Sequence, residues 1–427
     1  METSTDETSS ADRIHGTISL SNDDWAALTS LKQSRSHYCV ARASHIPAEL
    51  SVSFEYFNQG GANAIFKIHS WSPSAPTNHQ YFLFVDANIE DLLATPVRQP
   101  KLIDKVLRVN RGLEKTLRSE EVISGFYDHV RPLFAPKARL TTVVLTPRAE
   151  CTLGPVSMPD LDWRTYLMDH QGVMLHPKVM EDLRSKCDAI CREDGTQTTK
   201  PWGILLPDLS PQLGSSITVE VKPKWLSQSP TAPSNALRCR TCALQVAKPK
   251  DVTKYVCPLK LLGGSRDVVY PWVSGRVAEQ LGVDVKSIGP QVQAQATDIA
   301  SHLAKYISEG HGRDLLRRLE VLQRNLDQQG VLYRKRIMTT SQETRHAFDH
   351  NLRLAMTLRD CSLYLRIGYN SSGVIPGTID CKLGDLDFKS ADKIEDWAIK
   401  ERELLESGAY TRRTNDDPGC LITGRLL

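Results

Sequence analysis

The chain has 427 residues, 24% of them charged, with 53 basic against 50 acidic side chains and a formal net charge of +3. That length allows two or three lobes with a sizeable core, but so small a cationic surplus argues against a nucleic-acid binder held by global electrostatics. No stretch approaches 18 apolar residues, and the amino-terminal Met1-Glu-Thr-Ser-Thr-Asp-Glu7 is acidic, so neither a spanning helix nor a secretory signal is expected.

Residues 1–12 read as a polar tail, and Ile14, Ile18, Leu20, Trp25, Leu28 and Leu31 give 13–45 enough apolar weight for a short strand and helix. Alternating residues on both sides of Gly60-Gly61-Ala62-Asn63, within Phe54 to Ile68, predict a β-hairpin with a glycine turn. Small residues there would let backbone N–H groups approach a phosphate, though most such turns are only turns. Ser70 to His79 is a loop by composition, and Tyr81–Val85 a short strand. Lys105–Asn110 predicts a strand with Lys105, Leu107 and Val109 on one face and Val106 and Arg108 on the other. Arg108 among apolar neighbours either awaits a phosphate or pairs with a core carboxylate. Residues 112–130 have a helical pattern, and Arg139 to Pro147 reads as a strand stopped by proline. Helical pattern returns over 158–196, with Met168, Val173, Val179, Met180, Leu183, Cys187 and Ile190 as core positions.

Ile217-Thr-Val-Glu-Val221 is β-branched except for Glu220 and predicts a strand, which runs into Lys222-Pro-Lys224. Pro223 removes an N–H donor and stiffens the backbone, so two ammonium groups project from a rigid strand end. Such a pair suits a ligand with several phosphates, and equally a solvated strand end. Glu220 could align Lys222 or Lys224, or face its strand neighbours. Leu226 to Asn235 reads as a flexible insertion, and 276–328 as helical. Cys239-Arg-Thr-Cys242 with Cys257 offers three thiols of a metal site and no recognisable fourth, so structural zinc is not expected. Ten cysteines without dense spacing fit reduced thiols in a nuclear or cytoplasmic protein.

Late in the chain, Asp360 lies in Met356-Thr-Leu-Arg-Asp-Cys-Ser362, and Asp385 and Asp387 alternate with apolar residues. Two carboxylates on one face suit Mg²⁺. Ser390 could cap a helix from Ala391 to about Leu405, whose start carries Lys389, Lys393 and then Trp397. Free N–H groups, the helix dipole and two cations make that end attractive to phosphate. The nearby Glu401, Glu403, Arg412 and Arg413 look like solvated charge. A glycine turn, clustered cations and three aspartates are the parts that phosphoryl transfer needs.

These motifs resemble the inositol-pentakisphosphate 2-kinases. The shared boxes are Gly60-Gly-Ala-Asn63, Val106-Leu-Arg108, Glu220-Val-Lys-Pro-Lys224, Met356-Thr-Leu-Arg-Asp-Cys-Ser362 and Asp385-Leu-Asp-Phe-Lys389, in the family's order. The resemblance implies an α+β, bilobal fold distantly like protein kinases, with a smaller β-rich N-lobe over 46–150 and a larger α/β C-lobe over 151–427, after an extension over 1–45. It implies ATP- and Mg²⁺-dependent phosphorylation of the 2-hydroxyl of inositol 1,3,4,5,6-pentakisphosphate to the hexakisphosphate. Gly60, Gly61, Ala62, Asn63 and Arg108 would meet ATP, and Asp360 would be the general base. Asp385 would hold Mg²⁺, with Asp387 as helper. Lys222, Lys224, Arg238, Lys389, Lys393 and Trp397 would meet the inositol substrate. Cys242 stands where the family often has histidine, Trp397 where tyrosine is usual, and an asparagine-rich segment is not recognisable. Some members carry a zinc site of His and Cys ligands that this sequence does not let us place. The expected partners are ATP and an inositol polyphosphate, without nucleic acid or membrane, for a monomer. An inactive inositol-phosphate-binding scaffold is the alternative; it would need the lysines but neither Asp360 nor Asp385.

Overall fold

A computed structural model describes residues 38–42, 51–70, 81–85, 104–113, 116–136, 161–175, 177–187, 202–249, 255–282, 289–413, 419–420 and 422. The expected strand at 139–147, the loop at 71–79, the helical residues at 188–196 and most of the segment 13–45 lie outside the described residues. Two compact units emerge, one drawn from 1–123 and 169–208 and the other from 124–168 and 209–427. Both are thus discontinuous in sequence, where the resemblance implied lobes over 46–150 and 151–427.

The first unit is a closed barrel of β1 (Tyr38–Arg42), β2 (Ser51–Gln59), β3 (Asn63–Ser70), β4 (Tyr81–Val85), β5 (Lys105–Asn110), β6 (Gln171–Leu175) and β7 (Trp202–Pro207), in the order β1-β4-β2-β3-β5-β7-β6. Parallel pairing of β1 with β6 closes the ring. Period-two alternation decides the inner face: Ala64, Phe66 and Ile68 of β3 are buried, while Asn63, Ile65 and Lys67 are half-buried. They join Phe54, Leu107, Val173, Leu175 and Leu205, with Val179, Met180 and Leu183 of α2 (Pro177–Ser185) packed on. At Gly203 a Cβ would lie 2.7 Å from Leu107 Cδ1 and 3.1 Å from Val173 Cγ1, so the glycine leaves room inside the barrel for side chains of its two hydrogen-bonded neighbour strands. Among the described residues of 158–196, the helical expectation holds for α2 and, as a 3-10 turn, for Trp163–Tyr166. Gln171–Leu175 is a strand because β1 and β7 flank it, and such pairing outweighs local propensity. Among the described residues of 112–130, α1 (Ser119–Gly125) is α-helical, and a π-helical turn at Phe126–Val130 follows.

The second unit centres on β9 (Ser362–Asn370), flanked antiparallel by β8 (Ser216–Val221) and β11 (Asp380–Gly384), with β10 (Gly373–Val374) at its far end. Its helices are α3 (Arg240–Ala247), α4 (Pro258–Gly263), α5 (Arg266–Gln280), α6 (Pro290–Ser308), α7 (His311–Leu326), α8 (Gln342–Asp360) and α9 (Lys393–Glu406). Leu315, Leu316, Leu319 and Leu322 of α7 recur at helical spacing and are fully buried, in one core with Val219, Val221, Leu363, Leu365 and Leu383. The register pairs Val221 with Leu363 and Gly384 with Ser362. One edge of the sheet therefore holds the end of β8, the start of β9 and the end of β11. The sheet is antiparallel, so the rule that ligands sit at the carboxyl ends of parallel strands does not apply; register gathers the site. No helix among the described residues is long and apolar enough to cross a membrane.

Candidate active site

Lys222 follows β8, and its ammonium lies 3.2 Å from Asp385 Oδ2, 3.1 Å from Glu220 Oε1 and 2.8 Å from Ser362 Oγ. Ser362 Oγ is 2.7 Å from Glu220 Oε1 and 2.9 Å from Asp385 Oδ2. One hydroxyl proton cannot serve both carboxylates at once, so Lys222 supplies the remaining donors. Burial works against charge on Lys222, but Asp385 and Glu220 outweigh it and hold the ammonium above the ordinary lysine value. Glu220 is held below the ordinary carboxylate value: burial would raise it, and the Ser362 hydrogen bond and the Lys222 charge prevail. Glu220 thus aligns Lys222, one of the three roles open to it from sequence.

Asp360 is the last residue of α8 and sits between two cations, with Lys389 Nζ 2.7 Å from Oδ2 and Lys224 Nζ 3.2 Å from Oδ1. Burial would raise its pKa, but Lys389 and Lys224 together hold it below the ordinary range. Among the described residues, the non-glycines at positive φ are Lys224 (52°) and Asp385 (54°). The left-handed region costs an L-residue roughly 1–2 kcal/mol. That strain falls on one cation and one carboxylate of the same cluster, where strained backbone tends to mark function.

A cavity of about 970 Å³ opens beside this cluster, with Lys222, Lys224, Asp360, Lys389 and Trp397 on its wall. Arg240, Lys248 and Lys400 also line it, and the sequence reading had missed all three. Arg240 donates through Nε to Glu401 Oε2 at 2.6 Å and stacks 4.5 Å over Trp225. Arg359 lies 3.5 Å over the same ring and donates to Asp327 Oδ2 at 2.6 Å. Glu401 is buried rather than solvated, and it also accepts from Ser229, Thr231 and Tyr410. The segment 226–235, expected to be a flexible insertion, supplies two of these donors. Arg238 does not line the cavity. Its buried guanidinium donates to the carbonyls of Ala409 and Arg412, so the cation that α3 presents to the cavity is Arg240. Spacing gave no way to choose between two arginines two residues apart; the start of α3 decides.

Lys393 is exposed at the first position of α9 and lies off the cavity wall. The helix begins there rather than at Ala391, because Ser390 accepts from the Asp392 N–H in a preceding turn and no side-chain hydrogen bond caps α9. Asp387 is half-buried, and its carbonyl accepts from Thr357 Oγ1 at 3.4 Å. Asp385 offers a hard oxygen donor to a cation, now shared between Lys222 and Ser362.

In the first unit, the turn between β2 and β3 is closed by the Gly60 N–H donating to Asn63 O at 2.8 Å. Arg111 donates to the carbonyls of Gly60 and Gly61, which leaves the turn's outer side open. A Cβ at Gly60 or Gly61 would meet nothing within 4 Å, so protein packing does not demand these glycines. Arg108 is 8% exposed, and the Asn63 amide, oriented with its oxygen inward, accepts from its Nε at 3.2 Å and Nη2 at 2.8 Å. Arg108 therefore braces one end of the turn from β5.

Outside these clusters, Cys239, Cys242 and Cys257 are joined by Cys420, and the four sulfurs lie within 4.8 Å of one another. The ligand set that looked incomplete in sequence has a fourth member 163 residues beyond the third. No spacing rule reaches that far.

Residues 56–403 match the family described as inositol-pentakisphosphate 2-kinase, and the chain belongs to that family. A relative named inositol-pentakisphosphate 2-kinase, from Yarrowia lipolytica, is 32% identical over 212 residues. That alignment covers 48% of this chain and 57% of the relative, so the chain matches little more than half of the relative's length.

Proposed function

We propose that the chain is an ATP-dependent kinase that phosphorylates the 2-hydroxyl of inositol 1,3,4,5,6-pentakisphosphate to give the hexakisphosphate. The observation that carries this reading is Asp360, held between Lys224 and Lys389 on a cavity wall that also bears Lys222, Arg240, Lys248 and Lys400. Lys222, Lys224 and Lys389 are paired with carboxylates, and a polyphosphate would compete for them. As Lys224 and Lys389 turn to substrate phosphates, Asp360 is freed to accept a hydrogen bond from the substrate hydroxyl. The hydroxyl oxygen then takes the γ-phosphoryl group, its proton passes to Asp360, and ADP departs. A carboxylate is a weak base towards an alcohol proton, so its chief task is to orient the nucleophile, which suffices for a loose phosphoryl-transfer transition state. Arg240, anchored by Glu401 and stacked on Trp225, would offer a planar fork to one phosphate.

Gly60, Gly61, Ala62 and Asn63 would cover the ATP phosphates, with Arg108 and Arg111 bracing the turn. Asp385, with Asp387 as helper, would hold Mg²⁺, which when bound neutralises charge on the transferring phosphoryl group. Lys222 would have to yield Asp385 for that. Lys393, exposed beside the cavity-facing part of α9, is kept as a peripheral phosphate contact. The barrel and the antiparallel unit would be the two lobes of a distantly kinase-like enzyme, acting as a monomer in the nucleus or cytoplasm.

Asp360→Asn tests the assignment. Turnover should fall by roughly 10²–10⁴-fold, the usual contribution of a positioned base. Binding of the pentakisphosphate by calorimetry should not weaken, because Lys224 and Lys389 lose an internal competitor. A wild-type rate in that variant would remove Asp360 from the chemistry.

A further inference from the structure

We propose that Gln323, in α7, is a positioning residue whose buried amide sets how far Lys224 stands from Asp360. Gln323 is fully buried and lies off the cavity wall, so it acts through other residues rather than on a ligand. Its Nε2 donates to the Lys224 carbonyl at 2.9 Å and to the Leu358 carbonyl at 3.1 Å. Its Oε1 accepts from the Leu226 N–H at 3.0 Å. Both amide donors are used, and the opposite orientation would turn the oxygen towards two carbonyls. All three partners are backbone groups beside the clustered side chains: Lys224 itself, the residue two after it, and the residue two before Asp360. One amide thus ties the turn after β8 to the last turn of α8.

Local structure leaves that tie to α7. β8 ends at Val221, and Pro223 has no N–H with which to continue the ladder. α8 ends at Asp360, so the Leu358 carbonyl belongs to a turn whose carbonyls lack partners inside the helix. Lys224 has a φ of 52°, a backbone state that persists only where the surroundings hold it. The ion pair itself is a poor anchor. The side chains of Lys224 and Asp360 are 36% and 54% exposed, and pairs so exposed contribute little. At the end of α7, Asp327 Oδ2 accepts from Arg359 Nη1 at 2.6 Å, and Arg359 lies 3.5 Å over the Trp225 ring. Lys224-Trp225 and Arg359-Asp360 are therefore tied twice to α7, by backbone contacts at Gln323 and by side chains at Asp327.

The consequence is geometric. Lys224 is assigned to a substrate phosphate and Asp360 to the hydroxyl, so their separation sets how that hydroxyl meets the transferring group. A shift of about 1 Å, caused far from the chemistry, can cost on the order of 10²-fold in rate. These kinetic effects rest on the kinase reading; the tie between the two segments does not.

The test is Gln323→Met, which keeps an unbranched side chain of like length and removes all three hydrogen bonds. In steady-state assays with ATP, Mg²⁺ and the pentakisphosphate, KM for the inositol substrate should rise roughly tenfold and kcat fall roughly 10–100-fold, with KM for ATP unchanged. Loss of folded protein would lower kcat alone, so the rise in KM marks a displaced Lys224. Thr378→Val loses hydroxyl contacts to Gly368 and Ile375 at the far end of β9, and should lower Tm without moving either KM. Gln323→Glu offers at most one proton to the two carbonyls and should fall between wild type and Gln323→Met. It decides the matter if the methionine variant does not fold. Wild-type constants in a folded Gln323 variant, or an equal rise in KM in Thr378→Val, would overturn the proposal. If the unaltered chain does not phosphorylate the pentakisphosphate, the kinase reading fails and a crystal structure of the variant judges the tie. Separation of Lys224 Nζ from Asp360 Oδ1 beyond hydrogen-bonding reach would support it, and a pair unmoved at 3.2 Å would overturn it.

Discussion

Lys389 and Lys224 show why single residues here carry opposite meanings with and without ligand. Each is ion-paired with Asp360, and each is also a cation that a polyphosphate would seek. Lys389→Ala should therefore raise KM for the inositol substrate by roughly tenfold or more, the size of a lost charge-assisted contact, with KM for ATP nearly unchanged. Equal effects on both constants would end the division of labour assigned to it. Glu220 supports a pH prediction. Its folded value is depressed, so its stabilising contribution is present above the unfolded carboxylate value, near 4, and is lost as pH falls through the folded one. The Tm of the wild type should drop more steeply than that of Glu220→Gln between about pH 5 and 3 in calorimetry, and parallel curves would contradict the pairing. Half-exposed partners keep the difference small. At this scale the sequence was most legible where chemistry is local: Lys222, Lys224, Asp360 and Lys389 stand in contiguous boxes and meet in space. It was least legible for Arg240 and Glu401, whose pairing depends on how α3 and α9 pack across 161 residues.

Elements explain what the residues cannot. The β2–β3 turn was readable from its glycines and the alternation around them, and register with β5 places Arg108 behind it. Because a Cβ at Gly61 meets open space and its φ is not positive, Gly61→Val should leave stability within about 0.5 kcal/mol while raising KM for ATP. An unchanged KM for ATP would separate the turn from the nucleotide. β6 was misread as helix because Gln171-Gly-Val-Met-Leu175 has no turn signal and follows a helical pattern; its strand state comes from neighbours recruited from residues 38–42 and 202–207. α9 was placed two residues early for a smaller reason, since Ser390 favours a turn as readily as a cap.

Over the whole molecule, a near-neutral chain places Lys222, Lys224, Arg240, Lys248, Lys389 and Lys400 on one cavity wall and pairs them with its own carboxylates. This arrangement needs no basic surface, which agrees with a net charge of +3 and with a compact, highly charged small molecule as partner. Membership of the inositol-pentakisphosphate 2-kinase family, over 56–403, names a substrate that fits that chemistry, while the residues themselves do not reveal which hydroxyl faces Asp360. The decisive measurement is incubation of the full chain with ATP, Mg²⁺ and a panel of inositol phosphates, with each product's position of phosphorylation identified. Inositol 1,3,4,5,6-pentakisphosphate should be converted to the hexakisphosphate in step with ADP release, and Asp360→Asn should slow both by the same roughly 10²–10⁴-fold. Failure to phosphorylate any member of the panel, while the cavity still binds the pentakisphosphate, would contradict the kinase reading and leave a binding scaffold in its place.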